Sequence, residues 1–124
     1  MTDPRRRTGH AAEQLVARRL AEAGYTILER NARTRHGELD IVALDGRTLV
    51  FVEVKAGRSG AAFGPERPIL AIGPRKQLQV RRLATAWMAE RRNLPHYDQI
   101  RFDAVGVTLD GARVIAYEQI ENAF

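Results

Sequence analysis

The segment TLVFVEVK (residues 48–55) constrains this chain more than any other. Side chains alternate along a strand, so Leu49, Phe51, Glu53 and Lys55 share one face, and Val50, Val52 and Val54 share the other. Both faces begin apolar. Such a strand is central and covered on both sides, which calls for elements above and below a sheet. One face then ends in Glu53 and Lys55, side by side. A charged pair closing a buried strand is unlike an ordinary edge.

The remaining pattern supplies the covering elements. Ala12, Leu15, Val16, Leu20 and Ala23 fall at helical spacing over residues 9–23, with Thr8 as a candidate cap and Gly24 in the place that ends such helices. Residues 25–33 (YTILERNAR) and 38–44 (ELDIVAL) read as strands. Asp45-Gly46 is a turn signal between the second strand and the third. Residues 56–68 contain Gly57, Gly60, Gly64, Pro65 and Pro68 and read as a long loop. Pro74 opens a second helix with an apolar stripe of Val80, Leu83, Ala84, Trp87 and Met88, and Asn93-Leu94-Pro95 ends it. Residues 100–109 and 112–120 read as two more strands around Asp110-Gly111. The order is α-β-β-β-α-β-β, an α/β chain. Residues 1–8 are polar and Arg-rich and read as a flexible basic arm.

A length of 124 residues suits a single domain spanning 1–124. The chain has no Cys, which excludes a disulfide scaffold and any thiolate metal centre. No run of 18 apolar residues exists to cross a membrane, and the start lacks the apolar core of a secretory signal. The expectation is a soluble cytoplasmic protein. Its formal net charge of +5 favours phosphate or another anionic surface as a partner. Of the 20 basic residues only Lys55 and Lys76 are lysines. Where this sequence needs a cation it writes Arg, so the two lysines mark places where a compact charge able to join in proton chemistry is wanted.

The second strand brings an acid towards Glu53. If Asp45 to Thr48 is the turn, positions whose numbers sum to 93 face each other, and Asp40 lies opposite Glu53. If Asp45-Gly46 is a two-residue loop, the sum is 91 and Glu38 takes that place. Directly opposed like charges repel by about 4 kcal/mol at 4 Å and an effective dielectric of 20. Lys55 offsets part of this, and a divalent cation would offset more, since carboxylates are hard oxygen ligands suited to Mg²⁺. A plain salt-bridge cluster closing the sheet end satisfies the same pattern. Glu13 is a third acid, on the flank of the first helix beside its apolar stripe. Taken alone, it also reads as a solvated helix glutamate. His10, His36 and His96 lack metal-ligand spacing, no phosphate-cradling Gly-rich loop follows a strand, and Ser59, the only Ser, stands in no nucleophile context.

GELDIV (37–42) followed by LVFVEVK (49–55) resembles the PD-(D/E)xK nuclease signature, with Asp40 as the Asp and Glu53-Val54-Lys55 as the ExK half. GHAAEQLVARRLAEAGY (9–25), HGELDIVA (36–43) and RFDAVGV (101–107) together resemble the YraN-like family of bacterial proteins, which is similar to archaeal Holliday-junction resolvases of that superfamily. The resemblance covers nearly the whole chain. It implies a restriction-endonuclease-like fold, a mixed central β-sheet flanked by helices. It further implies a Mg²⁺ site, with Mn²⁺ as the substitute ion. The ligands would be Asp40, Glu53 and the Val54 backbone carbonyl, with Glu13 as the helix acid of resolvase-like members and Lys55 as the group acting on the attacking water. One departure is Leu39, which stands where the signature has Pro.

The activity so implied is metal-dependent hydrolysis of phosphodiester bonds in DNA, branched or structured DNA included. The alternative is a catalytically silent nucleic-acid-binding module on the same fold. Arg33, Arg35, Arg58, Arg75 and Lys76 cluster around these motifs and read as nucleic-acid-binding. Arg81, Arg82, Arg91 and Arg92 read as a solvated helix face. With 8 aromatics and no stacking platform, recognition would act through shape and backbone. Cutting two strands implies a homodimer, for which the 56–68 loop is a candidate contact.

Overall fold

The structure, a computed structural model, describes residues 4–59 and 67–124, the side chains of residues 4–7 excepted. Helix α1 (Pro4–Glu22) begins at Pro4, ahead of the start at residue 9 that the apolar spacing predicts. It ends where Gly24 takes a φ of +100°. There the Gly24 and Tyr25 amides donate back to the Ala21 and Leu20 carbonyls at 3.1 and 3.0 Å, closing the last turn. Strands β1 (Thr26–Thr34), β2 (Gly37–Asp45) and β3 (Thr48–Arg58) follow. Residues 56–58, read as loop, instead lengthen β3. Residues 60–66 of that stretch, the candidate dimer contact among them, lie outside the described residues. A 3-10 helix (Pro68–Ala71) leads into α2 (Pro74–Glu90), which Pro74 opens as expected. Strands β4 (Gln99–Asp110) and β5 (Arg113–Ile120) complete the order α-β-β-β-α-β-β.

The five strands form one sheet in the order β1-β2-β3-β4-β5. Only β3 and β4 run parallel. Parallel neighbours need a crossover, and α2 is that crossover. The result is the mixed, helix-flanked sheet of a restriction-endonuclease-like fold. β3 is the central strand and is covered on both sides. Val50, Val52 and Val54 pack with Ala12, Val16 and Leu20 of α1. Leu49 and Phe51 pack with Val80, Leu83 and Trp87 of α2. The Phe51 ring meets Trp87 edge-on at 5.8 Å and stacks on Phe102 at 5.5 Å, which holds α2 on the sheet.

The turn at Gly46-Arg47, with Gly46 at a φ of +61°, selects the register in which positions sum to 93. Pairing runs from Asp45 opposite Thr48 to Ile41 opposite Val52, and there it stops. Asp40 is the next residue of β2. Around it the alternation breaks: Ile41 belongs to the α1-side core, whereas Leu39 belongs to the α2-side core. On β1, Asn31 falls opposite Asp40 by the register of the flanking pairs and has a φ of +49°, a left-handed conformation that Asn tolerates. β2 therefore leaves β3 at Asp40, close to the end of the strand where Glu53 stands.

On the α1 side, β4 carries a second polar group. Asp103 is fully buried and accepts bonds from Arg101 at 2.8 and 3.0 Å, from Gln119 at 3.2 Å and from the Asn122 amide at 3.0 Å. Arg101 also donates to Asp45 and to the Tyr25 hydroxyl. Every oxygen of Asp103 is thus satisfied, as a buried carboxylate requires.

Two glycines bring the 3-10 helix down onto the sheet. A Cβ at Gly57 would lie 2.8 Å from Pro68 Cγ, and one at Gly106 would lie 3.0 Å from the Ile69 backbone nitrogen. Gly106 is the β4 partner of Lys55. This close approach fixes where the chain enters α2, and with it the first turn of that helix. Gly106→Ala presses a methyl against backbone rather than a flexible side chain, and overpacking of this kind costs about 1–3 kcal/mol. Denaturant unfolding is expected to show that loss at an unchanged m-value.

Candidate functional site

The site is built where β2 and β3 part. Val54 of β3 has no β2 backbone partner, and its amide donates to Asp40 Oδ2 at 2.8 Å. The Asp40 carboxylate thus takes the place of a ladder bond. Because a strand residue points its N–H and C=O to the same edge, the Val54 carbonyl also faces this opening. Glu53 is only 6% exposed, and its Oε1 accepts from Lys76 Nζ of α2 at 3.2 Å. Glu13, reaching in from α1, is half-buried and close enough to Asp40 for that carboxyl to raise its pKa. Asp40 in turn stands close enough to Glu53 for each to act on the other's pKa. The three carboxyls run from α1 through β2 to β3, with Asp40 in the middle, and Lys76 carries the line on to α2.

Burial sets their chemistry. Loss of hydration disfavours the charged form, and Asp40 raises both Glu13 and Glu53. Glu53 is pushed up to about 7, by burial first and then by Asp40, against the pull of Lys76. Glu13 is pushed up to about 7 by burial and by Asp40, against Arg30. Asp40 is held above its ordinary range by burial, although the Val54 amide, Glu53, Lys76 and Lys55 all pull it down. Near neutral pH the cluster therefore keeps protons that isolated carboxyls would have lost.

The donor set fits a hard divalent cation. Two crowded, half-neutralised carboxylates are what such an ion would relieve, and Lys76 now supplies part of that positive charge. Among the described residues no three His, Cys, Asp or Glu side chains gather as a ready metal cage. Mg²⁺ is characteristically held by one or two carboxylates, keeping waters in its other places. Asp40, Glu53 and the Val54 carbonyl match that pattern. Glu13 stands near Asp40 as the third carboxyl of the group.

The remaining singled-out residues divide. Lys55 is exposed, lies near enough to Asp40 to lower its pKa, and makes no ion pair among the described residues. Lys76, grouped with the phosphate-facing residues in the sequence, is committed to Glu53. Arg33 and Arg75 are exposed, and Arg35 stands 4.0 Å from Glu90. Arg58 donates to Thr8 at 3.1 Å, tying the end of β3 to α1. Arg91, read as solvated, is bound to Glu29 at 2.6 and 2.7 Å. Arg30, which acts on Glu13, went unnoticed in the sequence, where nothing marks it out from the other arginines.

Fold and site together define a small restriction-endonuclease-like domain with paired buried carboxyls at a strand opening. A family model described as "Uncharacterised protein family UPF0102" matches residues 12–107, and the chain belongs to that family. The matched span includes Glu13, Asp40, Glu53, Lys55 and Lys76. A UPF0102 protein of Syntrophus aciditrophicus is 46% identical over 120 residues, covering 95% of this chain and 88% of its own. One from Streptomyces griseus is 50% identical over 99 residues, 80% of each chain. One from Geobacter metallireducens is 45% identical over 116 residues, covering 94% of this chain and 90% of its own. Among the described residues no helix is long and apolar enough to cross a membrane.

The raised Glu53 pKa has a definite sign in stability. The folded state holds its proton more tightly than the unfolded chain, so this contribution is full below about 4.5 and is lost as pH rises through about 7. Across that window the loss is on the order of 3 kcal/mol. Urea unfolding in a chelator at a series of pH values is expected to show this decline. Glu53→Gln is expected to flatten it.

Proposed function

We propose that this protein is a Mg²⁺-dependent nuclease that hydrolyses phosphodiester bonds in cytoplasmic DNA, branched or structured DNA included. The observation that carries the reading is the pair of buried Glu53 and half-buried Asp40 at the strand opening, beside Lys55, which makes no ion pair among the described residues. Burying two carboxylates side by side weakens a fold that needs them only for packing. A site that must grip a cation offsets that weakness when the cation is bound. Membership in UPF0102 is compatible with this activity and does not name it.

Asp40, Glu53 and the Val54 carbonyl would hold Mg²⁺, or Mn²⁺ in its place. When bound, the ion supplies Lewis-acid polarisation of a phosphoryl oxygen. The protein's own groups do the rest. The Lys55 ammonium, which makes no ion pair among the described residues, would orient the attacking water and stabilise the negative charge that grows on the phosphorus oxygens. Glu13, titrating near 7, can take up or release a proton at neutral pH. Lys76 balances Glu53 while no cation is present.

The Lys76–Glu53 ion pair also favours a second reading, the catalytically silent nucleic-acid-binding module, in which the lysine serves permanently as the cation. Calorimetric titration of Mg²⁺ and Mn²⁺ separates the two when cleavage of a branched DNA is followed alongside. The nuclease should bind metal, lose that binding in Asp40→Asn, and in Lys55→Ala keep DNA binding while losing about 10²–10⁴-fold in cleavage rate. DNA binding with neither metal uptake nor cleavage would establish the silent module.

A further inference from the structure

A cavity of about 230 Å³ opens between the β1–β2 turn and the second half of α2, lined by Arg35, His36, Arg82, Thr85, Ala86 and Ala89. It is separate from the carboxyl cluster, which uses the first turn of the same helix. Its polar chemistry is one-sided. Arg82 makes no ion pair among the described residues. Arg35 has one acid in reach, Glu90, at 4.0 Å, and Glu90 stands equally far from Arg91. The Thr85 hydroxyl donates to the Arg81 carbonyl at 3.0 Å, so the donors left for a ligand are two guanidiniums and an imidazole. The floor is the methyl groups of Ala86 and Ala89, which leave room where larger side chains would fill the groove. Cationic donors over a small apolar floor suit a group that is anionic at one end and apolar at the other.

We infer that this cavity is a second nucleic-acid subsite, in which Arg35, His36 and Arg82 hold a backbone phosphate while Ala86 and Ala89 receive the adjoining sugar. The inference rests on the nucleic-acid part of the proposed function and adds where the strand runs. Lys76 and Arg82 are six residues apart on α2. That is about 9 Å of helix rise, roughly the axial rise of three nucleotides in one strand of a duplex. Six residues also turn the helix by about 240°, so a strand with one phosphate at the carboxyl cluster would reach this cavity by crossing α2 obliquely. Arg82, which the helical pattern alone consigns to a solvated face, becomes a contact residue.

The test measures affinity for a short fluorescein-labelled DNA duplex across a salt series from about 50 to 200 mM, where phosphate contacts dominate binding. EDTA is present throughout, so the outcome does not depend on metal uptake or cleavage. Arg35→Ala and Arg82→Ala are each expected to reduce the slope of log affinity against log salt by about 1, and the double variant by about 2. Both positions are exposed, and unchanged melting temperatures would verify folding. Arg113→Ala, on β5 at the opposite edge of the sheet, is the control and should leave the slope unchanged. A wild-type slope in the double variant overturns the subsite, and so does an equal loss in Arg113→Ala. Failure of wild type to bind the duplex overturns it as well. Inorganic phosphate is titrated by calorimetry in parallel. Phosphate uptake lost in Arg82→Ala, with duplex binding unaltered, would also overturn the assignment, marking a site for free phosphate. Absence of cleavage in the separate metal experiment would leave the subsite standing on a silent module.

Discussion

The hydrogen bond from the Val54 amide to Asp40 Oδ2 holds the site together. It occurs where the β2–β3 ladder ends, and it does two jobs. It satisfies an amide that the departing strand would otherwise orphan, and it locks the Asp40 carboxylate into the plane of the sheet. From that position Asp40 can be reached from both faces, by Glu13 on the α1 side and by Glu53 on the other. If β2 continued to pair with β3, a backbone carbonyl would take the amide and Asp40 would point to one face only. The break in alternation at Asp40 and the left-handed Asn31 opposite it are the local cost of that arrangement.

What the sheet opens, the helices close. α1 and α2 lie on opposite faces, and each sends one charged side chain to the same place: Glu13 from the first, Lys76 from the second. The placement of α2 follows from the Phe51–Trp87–Phe102 packing and from the two glycines beneath the 3-10 helix. Site geometry is therefore set by core packing and backbone approach, not by the charged residues themselves. The Arg101–Asp103 group on β4 is a useful contrast. It too is buried and ionic, yet each acceptor is met by a donor, leaving nothing for a ligand to do.

Much of this was legible in the sequence because strands have a period of two. TLVFVEVK identified the central strand and the charged pair at its end, while the turn at 45–48 left two registers open, with Asp40 or Glu38 against Glu53, of which the structure takes the first. The end of α1 before Gly24 and the role of Pro74 followed from caps and spacing, whereas the start of α1 at Pro4 lies ahead of where its apolar stripe begins. Other features are invisible to periodicity. A strand that departs from its neighbour at one residue still alternates in sequence, so the in-plane position of Asp40 could not be read. The 3-10 helix at Pro68–Ala71 has too few residues to show a period. Lys76 belongs to a helix, and its partner lies on a strand more than twenty residues earlier. The only hint was that it is one of two lysines among arginines. The partners of Asp103 are likewise gathered from β4, β5 and the chain beyond it, and no local pattern announces them.

The topology also fixes the order in which the charges meet. Asp40 and Glu53 lie on a hairpin joined by a tight turn, a unit that can form within microseconds. Lys76 joins them only after the chain has crossed over through α2 and docked it on the sheet, a non-local step that pays its loop-closure entropy first. The acids are thus brought together before their internal counter-ion arrives. Within the hairpin the nearby cation is Lys55, which already acts on Asp40, so the site holds one lysine that comes with the local turn and a second that comes only with the crossover helix.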